Sequence, residues 1–275
     1  GNPAQSNITF TDTLTAGAGL TINSVTALAG AGCSATTLTF NATSPASVTL
    51  TGANMTAGTG TCTFTVNVTG NTAGTYANPA ANVTSATAVV DASGVASTLT
   101  VGSQATLAKS YGATTAVGVG GSATLTFTIN NGAGNPVQSN LGFTDTFLAG
   151  TTVTAVSAIA GAGCGGNPSF TATTVVLAAG TMTAGTASCT FTATIQGTAA
   201  GSYLNDNARF SGRTGGISTT ATAATLDVRQ VLLTKNYAPA SVVATGTSVL
   251  TFTLTNGAGN PAQSNITFTD TLTAG

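Results

Sequence analysis

Apolar and polar side chains alternate through four stretches of the chain. Ala123-Thr-Leu-Thr-Phe-Thr-Ile129 and Val249-Leu-Thr-Phe-Thr-Leu254 put an aliphatic or aromatic residue at every second position, with threonine between. Cys62-Thr-Phe-Thr-Val-Asn-Val68 and Cys189-Thr-Phe-Thr-Ala-Thr-Ile195 keep the same rhythm. Successive side chains of a strand point to opposite faces, so each stretch predicts a half-buried β-strand. Asn130-Asn-Gly-Ala-Gly134 is rich in residues that tolerate positive φ and predicts a loop between strands. Gly118-Val-Gly-Gly121 predicts a turn before a strand, because neither a following Lys-Ser/Thr nor a helix is there to make a phosphate loop. No ten-residue window carries a helical face. Short strands at regular intervals with glycine-rich turns predict an all-β chain of tandem immunoglobulin-like β-sandwich repeats.

The chain repeats itself. Gly1–Gly17 reads GNPAQSNITFTDTLTAG, Gly259–Gly275 repeats it without a difference, and Gly134–Gly150 reads GNPVQSNLGFTDTFLAG. Further features recur in the same order. A cysteine pair follows each of the first two copies. Gly74-Thr-Tyr-Ala-Asn78 then matches Gly201-Ser-Tyr-Leu-Asn205, Thr98-Leu-Thr-Val matches Thr225-Leu-Asp-Val, and a lysine opens the next repeat, Lys109 in LAKSYG and Lys235 in LTKNYA. The expected organisation is a repeat lacking its first strands over 1–104, a complete repeat over 105–230, and the N-terminal part of a third over 231–275. That part is equivalent to the missing start and the head of the first. The larger period is expected to be 258 residues (259 − 1), made of two related domains. Starting at Gly1 without a leader pattern, the chain reads as mature or excised material.

Composition narrows the function. Apolar residues make up 42%, enough for a buried core, while charged residues are 4% and the net charge is −1. A basic patch for nucleic acid is therefore absent, and the composition is not that of a disordered chain. Histidine, glutamate and tryptophan are missing, so the commonest metal ligand and the most versatile general acid/base are not available. No cofactor, no metal and no enzymatic activity are expected, and no apolar run reaches the ~18–20 residues of a membrane helix.

The four cysteines, Cys33, Cys62, Cys164 and Cys189, lack metal-ligand spacing and are expected to pair as Cys33–Cys62 and Cys164–Cys189. That implies an oxidising, extracellular or cell-surface location. Buried free thiols are the alternative. Sequons at Asn7, Asn41, Asn54, Asn67, Asn82 and Asn265 are glycosylation candidates, although a chain rich in threonine and asparagine produces such triplets by chance.

The two lysines of the chain, Lys109 and Lys235, occupy one repeat position. Asp12, Asp145 and Asp270 share a second, and Asn78 and Asn205 a third. One reading is an intramolecular isopeptide bond, in which a buried, neutral lysine attacks the asparagine carboxamide and ammonia leaves. A protonated aspartate would polarise the carbonyl by donating a hydrogen bond and shuttle protons. In the complete repeat Lys109 is the nucleophile, Asn205 the acceptor and Asp145 the catalyst, with Asp206 or Asn207 as alternatives to Asn205. The plainer readings are a Lys–Asp salt bridge or exposed solubilising charges. Lys235 and Asp270 lie in the tail without an asparagine, while Asp12 and Asn78 lie in the head without a lysine. The tail of one copy could therefore complete the head of another, by strand addition between subunits, or the chain could be a window on one very long repeat protein.

Taken in order, the lysine before a strand, TFT-I/L-x-N, Phe-Thr-Asp-Thr ending in Ala-Gly, two cysteines and G-T/S-Y-x-N resemble a repeat domain of bacterial and archaeal surface proteins, domain of unknown function eleven and its relatives. The resemblance covers the whole chain and implies a long, modular, extracellular surface protein. Where that family often carries proline after Asp-Thr-Leu, this chain has Thr15, Leu148 and Thr273, which implies a different turn.

The expected function is a structural subunit or repeat segment of an extracellular fibre, sheath or stalk, assembled from copies of itself head to tail. It would be stapled by disulfides and by isopeptide bonds if these form. The alternative is an adhesin-type module contacting glycans or another surface, which the low aromatic content of 5% does not favour. Ice binding by the flat threonine rows is a third reading.

Overall fold

The computed structural model describes residues 2–14, 19–35, 37–43, 45–186, 188–219 and 223–273. Thr15 of the turn comparison lies outside them. The chain forms two compact units, Gly1–Ser103 and Gln104–Gly275. Among the described residues the regular structure is strand, apart from two single turns of 3₁₀ helix, Ala80–Asn82 and Asn207–Arg209. The fold is an all-β, immunoglobulin-type sandwich, and no helix is long and apolar enough to cross a membrane.

Unit 1 contains β1 (Gln5–Thr13), β2 (Leu20–Val25), β3 (Cys33–Ser34), β4 (Thr37–Asn41), β5 (Ser47–Met55), β6 (Val66–Gly70), β7 (Gly74–Asn78), β8 (Val83–Thr84) and β9 (Ser97–Val101). Unit 2 contains β10 (Thr106–Ser110), β11 (Ala116–Gly118), β12 (Ser122–Asn130), β13 (Gln138–Thr146), β14 (Thr151–Val156), β15 (Cys164–Phe170), β16 (Thr174–Met182), β17 (Ser188–Gly197), β18 (Gly201–Asn205), β19 (Phe210–Thr214) and β20 (Ala224–Arg229). It continues into β21 (Leu232–Ala238) and β22 (Val249–Thr255).

In unit 2 one sheet runs β10-β12-β17-β14, a second β15-β16-β13-β19, and a third β11-β20-β18. The two alternating stretches pair along their whole length, from Ser122 opposite Gln196 to Asn130 opposite Ser188. Leu125, Phe127, Ile129, Phe191, Ala193 and Ile195 thereby share one face and are at most 1% exposed. Across the sandwich, β13 and β16 contribute Leu141, Phe143, Val175 and Leu177 to the same core. Phe127 stacks on Phe191 with centroids 4.8 Å apart, and Phe143 lies 5.7 Å from Phe127 and meets Phe210 edge-on at 5.2 Å. Offset and edge-on rings of this kind add to the burial that drives the fold.

Two details set the site. The β13 register against β16 shifts twice, first through an extra residue on β13 before Leu141, where Asn140 takes a left-handed φ of 55°, and then through one on β16, where Ala179 has a φ of 51°. Beyond Asn140, Leu141, Phe143 and Asp145 follow at every second position, so all three point inward. The turn after β13 closes on Leu148, whose carbonyl accepts from the Thr151 amide and hydroxyl. The leading segment, in turn, splits between sheets: β10 runs antiparallel to β12, and β11 parallel to β20.

In unit 1, β1 pairs with β5 and β8, β2 with β6, and β7 with β9. Phe64, Val66 and Val68 occupy the repeat positions of Phe191, Ala193 and Ile195 but are only half-buried. β21 and β22 form a two-stranded ribbon whose Phe252 and Leu254 are 39% and 48% exposed.

Candidate functional site

Lys109, Asp145 and Asn205 come from three different sheets and meet inside unit 2. Each lies on the apolar phase of its strand: Lys109 alternates with Leu107 on β10, Asp145 with Phe143 on β13, and Asn205 with Tyr203 on β18. The side chains of Lys109 and Asp145 are fully buried, and Asn205 is 5% exposed.

The three groups satisfy one another. Lys109 Nζ lies 3.2 and 3.1 Å from the two oxygens of Asp145 and donates to Asn205 Oδ1 at 2.5 Å. Asn205 Nδ2 donates to Asp145 Oδ2 at 3.0 Å. The Phe210 ring caps the cluster, with Lys109 Nζ 4.1 Å from its centroid. Such enclosure disfavours charge on both partners. Burial pulls the Lys109 ammonium below its ordinary range, against the opposing pull of Asp145. Burial likewise raises the Asp145 carboxyl to about 6, against the attraction of Lys109. Both shifts run toward a neutral amine beside a neutral acid, the state in which lysine is a nucleophile.

The amide orientation differs from the expected one. Asp145 faces the nitrogen of Asn205 rather than its carbonyl oxygen, which Lys109 occupies instead. The aspartate thus sits where a proton could be passed from Nζ to the departing nitrogen. The sequence alternatives to Asn205 are engaged elsewhere: Asp206 accepts from the Ala208 amide as a cap of the 3₁₀ turn, and Asn207 accepts from Thr219 Oγ1.

The same position in unit 1 holds Asp12 and Asn78 without a lysine. Asn78 Nδ2 donates to Asp12 Oδ2 at 2.7 Å and its Oδ1 accepts from Asn82 Nδ2 at 2.9 Å, whereas Asp12 Oδ1 is buried with no partner. In the tail, Lys235 pairs with Asp270 in a half-exposed ion pair.

Both expected disulfides are present. Cys33–Cys62 and Cys164–Cys189 have Cα separations of 5.8 and 5.7 Å. The second joins β15 to β17 and so ties two sheets together, contributing about 3–4 kcal/mol by loop-closure entropy. Among the sequon asparagines, Asn7, Asn41, Asn54, Asn67 and Asn265 are exposed and Asn82 is partly buried against Asn78. Asn7 and Asn265 have φ of 55° and 54°, as Asn140 does, so the left-handed backbone there accounts for asparagine. Among the described residues no three His, Cys, Asp or Glu side chains gather as a metal site. Phe210 escaped the sequence reading, since only contact marks it out among the eleven phenylalanines.

A family profile, "Domain of unknown function (DUF7933)", matches residues 1–101, 105–228 and 232–275. The chain belongs to this family. The motif resemblance therefore holds at the level of a repeated domain of unknown function, and the match names DUF7933 rather than domain of unknown function eleven. No curated protein matches the DUF7933 chain. Two solved structures are similar to it over nearly half its length. One is a non-cellulosomal cohesin from the hyperthermophilic archaeon Archaeoglobus fulgidus, with 10% identity over 47% of this chain and 93% of that one, at a TM-score of 0.33. The other is the seventh ScaB type I cohesin from Pseudobacteroides cellulosolvens, with 16% identity over 46% and 91%, at a TM-score of 0.31.

Proposed function

We propose that this DUF7933 chain is a structural repeat segment of an extracellular fibre, sheath or surface stalk, and that its complete repeat locks itself with a Lys109–Asn205 isopeptide bond. The observation that carries this reading is the buried contact of Lys109 with both Asp145 and the carboxamide of Asn205. A plain ion pair gains little from such burial, because desolvating both charges offsets their attraction. Covalent chemistry instead benefits from it.

The reaction balances without a co-reactant. A proton shared between Lys109 and Asp145 rests on the carboxylate, leaving a neutral amine. Nζ adds to Cγ of Asn205, forming the new C–N bond. Asp145 passes its proton to Nδ2, the Cγ–Nδ2 bond breaks, and ammonia departs while the second proton of Nζ returns to the aspartate. The event happens once per molecule, so the chain is not an enzyme in the turnover sense. The two disulfides favour an oxidising, extracellular setting. Repetition and scarcity of charge favour a structural role over catalysis.

Mass spectrometry of the reduced, proteolysed protein tests the bond. The expected result is a Lys109 peptide joined to an Asn205 peptide, lighter than their sum by one ammonia. Recovery of both peptides separate and unmodified would overturn the cross-link and leave a disulfide-stabilised sandwich, for which adhesion is the better role.

A further inference from the structure

Unit 2 contains a second polar cluster that the cross-link chemistry does not use. Thr219 has none of its surface exposed. Its hydroxyl accepts from Arg213 Nη1 at 2.8 Å and donates to Oδ1 of Asn207. Arg213 and Asn207 are themselves exposed, so a buried hydroxyl holds two surface groups together. The three members stand on the supports of the three reactive residues. Asn207 opens the 3₁₀ turn that follows Asn205. Arg213 lies on β19, which pairs with β13 and sets Phe210 opposite Asp145. Ser218, the neighbour of Thr219, exchanges backbone hydrogen bonds with the lysine strand: its carbonyl accepts from the Leu107 amide at 2.8 Å and its amide donates to the Ala105 carbonyl at 2.8 Å. One hydroxyl thereby links the strand of Lys109, the turn after Asn205 and the strand beside Asp145.

The fold does not need this cluster to form the turn. At the same spacing from Asn78, unit 1 has Ala80, Ala86 and Ala92 where unit 2 has Asn207, Arg213 and Thr219. The 3₁₀ turn forms there all the same, over Ala80–Asn82, closed by the Asn82 amide on the Pro79 carbonyl. What the three polar side chains add in unit 2 is a fixed place for the turn against β10 and β19.

We propose that Thr219 is a positioning residue of the Lys109–Asn205 reaction, acting through Asn207 and Arg213 to hold the Asn205 carboxamide in line with Nζ; this rests on the cross-link proposed above. Asn205 is the last residue of β18, so the ladder with β20 fixes it from one side and the turn must fix it from the other. Attack on Cγ needs the amine close and aligned, and a misplacement of about 1 Å can cost about a hundredfold in rate. Thr219 touches none of the reacting atoms. It removes freedom from the turn, so that Asn205 faces Lys109 and Asp145 together.

The test refolds the 275-residue chain from inclusion bodies and follows ammonia loss by timed intact-mass spectra, with Lys109→Met as the baseline. Thr219→Val, which keeps the side-chain shape and removes the hydroxyl, should slow the loss by about 10–100-fold, and Thr219→Ser should restore it. The pH optimum of the rate should stay at its parent value, because the geometry changes and the proton affinities of Lys109 and Asp145 do not. Asn207→Ala places on the surface the residue that stands there in unit 1; it should also slow the loss, and it decides the matter if Thr219→Val fails to fold. A parent rate in folded Thr219→Val or in Asn207→Ala overturns this inference and leaves the proposed function standing. So does a Thr219→Ser as slow as Thr219→Val, since the hydroxyl is then not the cause, or a displaced pH optimum, which would mark an electrostatic role. A parent chain that loses no ammonia beyond the baseline overturns the cross-link and this inference with it.

Discussion

At the scale of the residue, the site consists of polar groups placed on the apolar phase of strands. Lys109, Asp145 and Asn205 were legible as a set because each recurs at one repeat position in a chain with 4% charged residues. The choice of Asn205 over Asn207 was not legible, because the two share one strand phase and only the end of β18 at Asn205, with Asn207 opening the 3₁₀ turn, separates them. Asp145 contacts both the attacking amine and the departing nitrogen, so Asp145→Ala should abolish the cross-link while leaving a folded sandwich. Intact mass of the variant, higher by the retained ammonia after correcting for the substitution, is the measurement. The pH dependence follows from the two shifts. The reactive state holds one proton between the pair. Below about 6, the raised Asp145 pKa, a second proton binds and keeps Lys109 as an inert ammonium, so the rate falls as pH drops. Above the lowered Lys109 pKa the shared proton is lost and the rate falls again. Refolding the chain from inclusion bodies across pH, with timed mass spectra, should trace that bell; a rate that is flat through pH 6 would count against Asp145 as the relay.

At the scale of the element, the strands were predictable where threonine alternates with apolar residues, since period two is a local property. The paired bulges in β13 and β16 were not, because they depend on Asn140 and Ala179, both at positive φ, flanking the Leu141–Gly180 pair from opposite strands. The best test of the packing is Phe127, which meets both Phe143 and Phe191, themselves in contact, with no exposed surface. Phe127→Ala should destabilise unit 2 by about 3–5 kcal/mol, the usual cost of emptying an aromatic site. Denaturant unfolding in the Lys109→Met background, where no cross-link complicates the reference state, would measure it. A loss below about 1 kcal/mol would mean that the three-ring cluster contributes little.

At the scale of the molecule, the expected consequence of the bond is mechanical. Lys109 and Asn205 are 96 positions apart, so tension entering at β10 would pass directly to β18 and leave the intervening chain folded. With the Cys164–Cys189 disulfide intact in both proteins and 25 of these positions already closed by it, single-molecule stretching should therefore give a contour-length release shorter by about 240 Å in the parent than in Lys109→Met, at ~3.4 Å per extended residue. Equal releases would show that no covalent shortcut exists. The sequence alone determined the strand rhythm, the repeat frame, the cysteine pairs and the identity of the polar set, because all of these are carried by spacing and residue type. Tertiary structure decided what the same residues become. Asp145 and Asn205 lie 60 positions apart, on β13 and β18, and meet only through the pairing and packing of those strands. A strand has no internal hydrogen bonds and exists only where neighbouring strands supply the partners for its backbone.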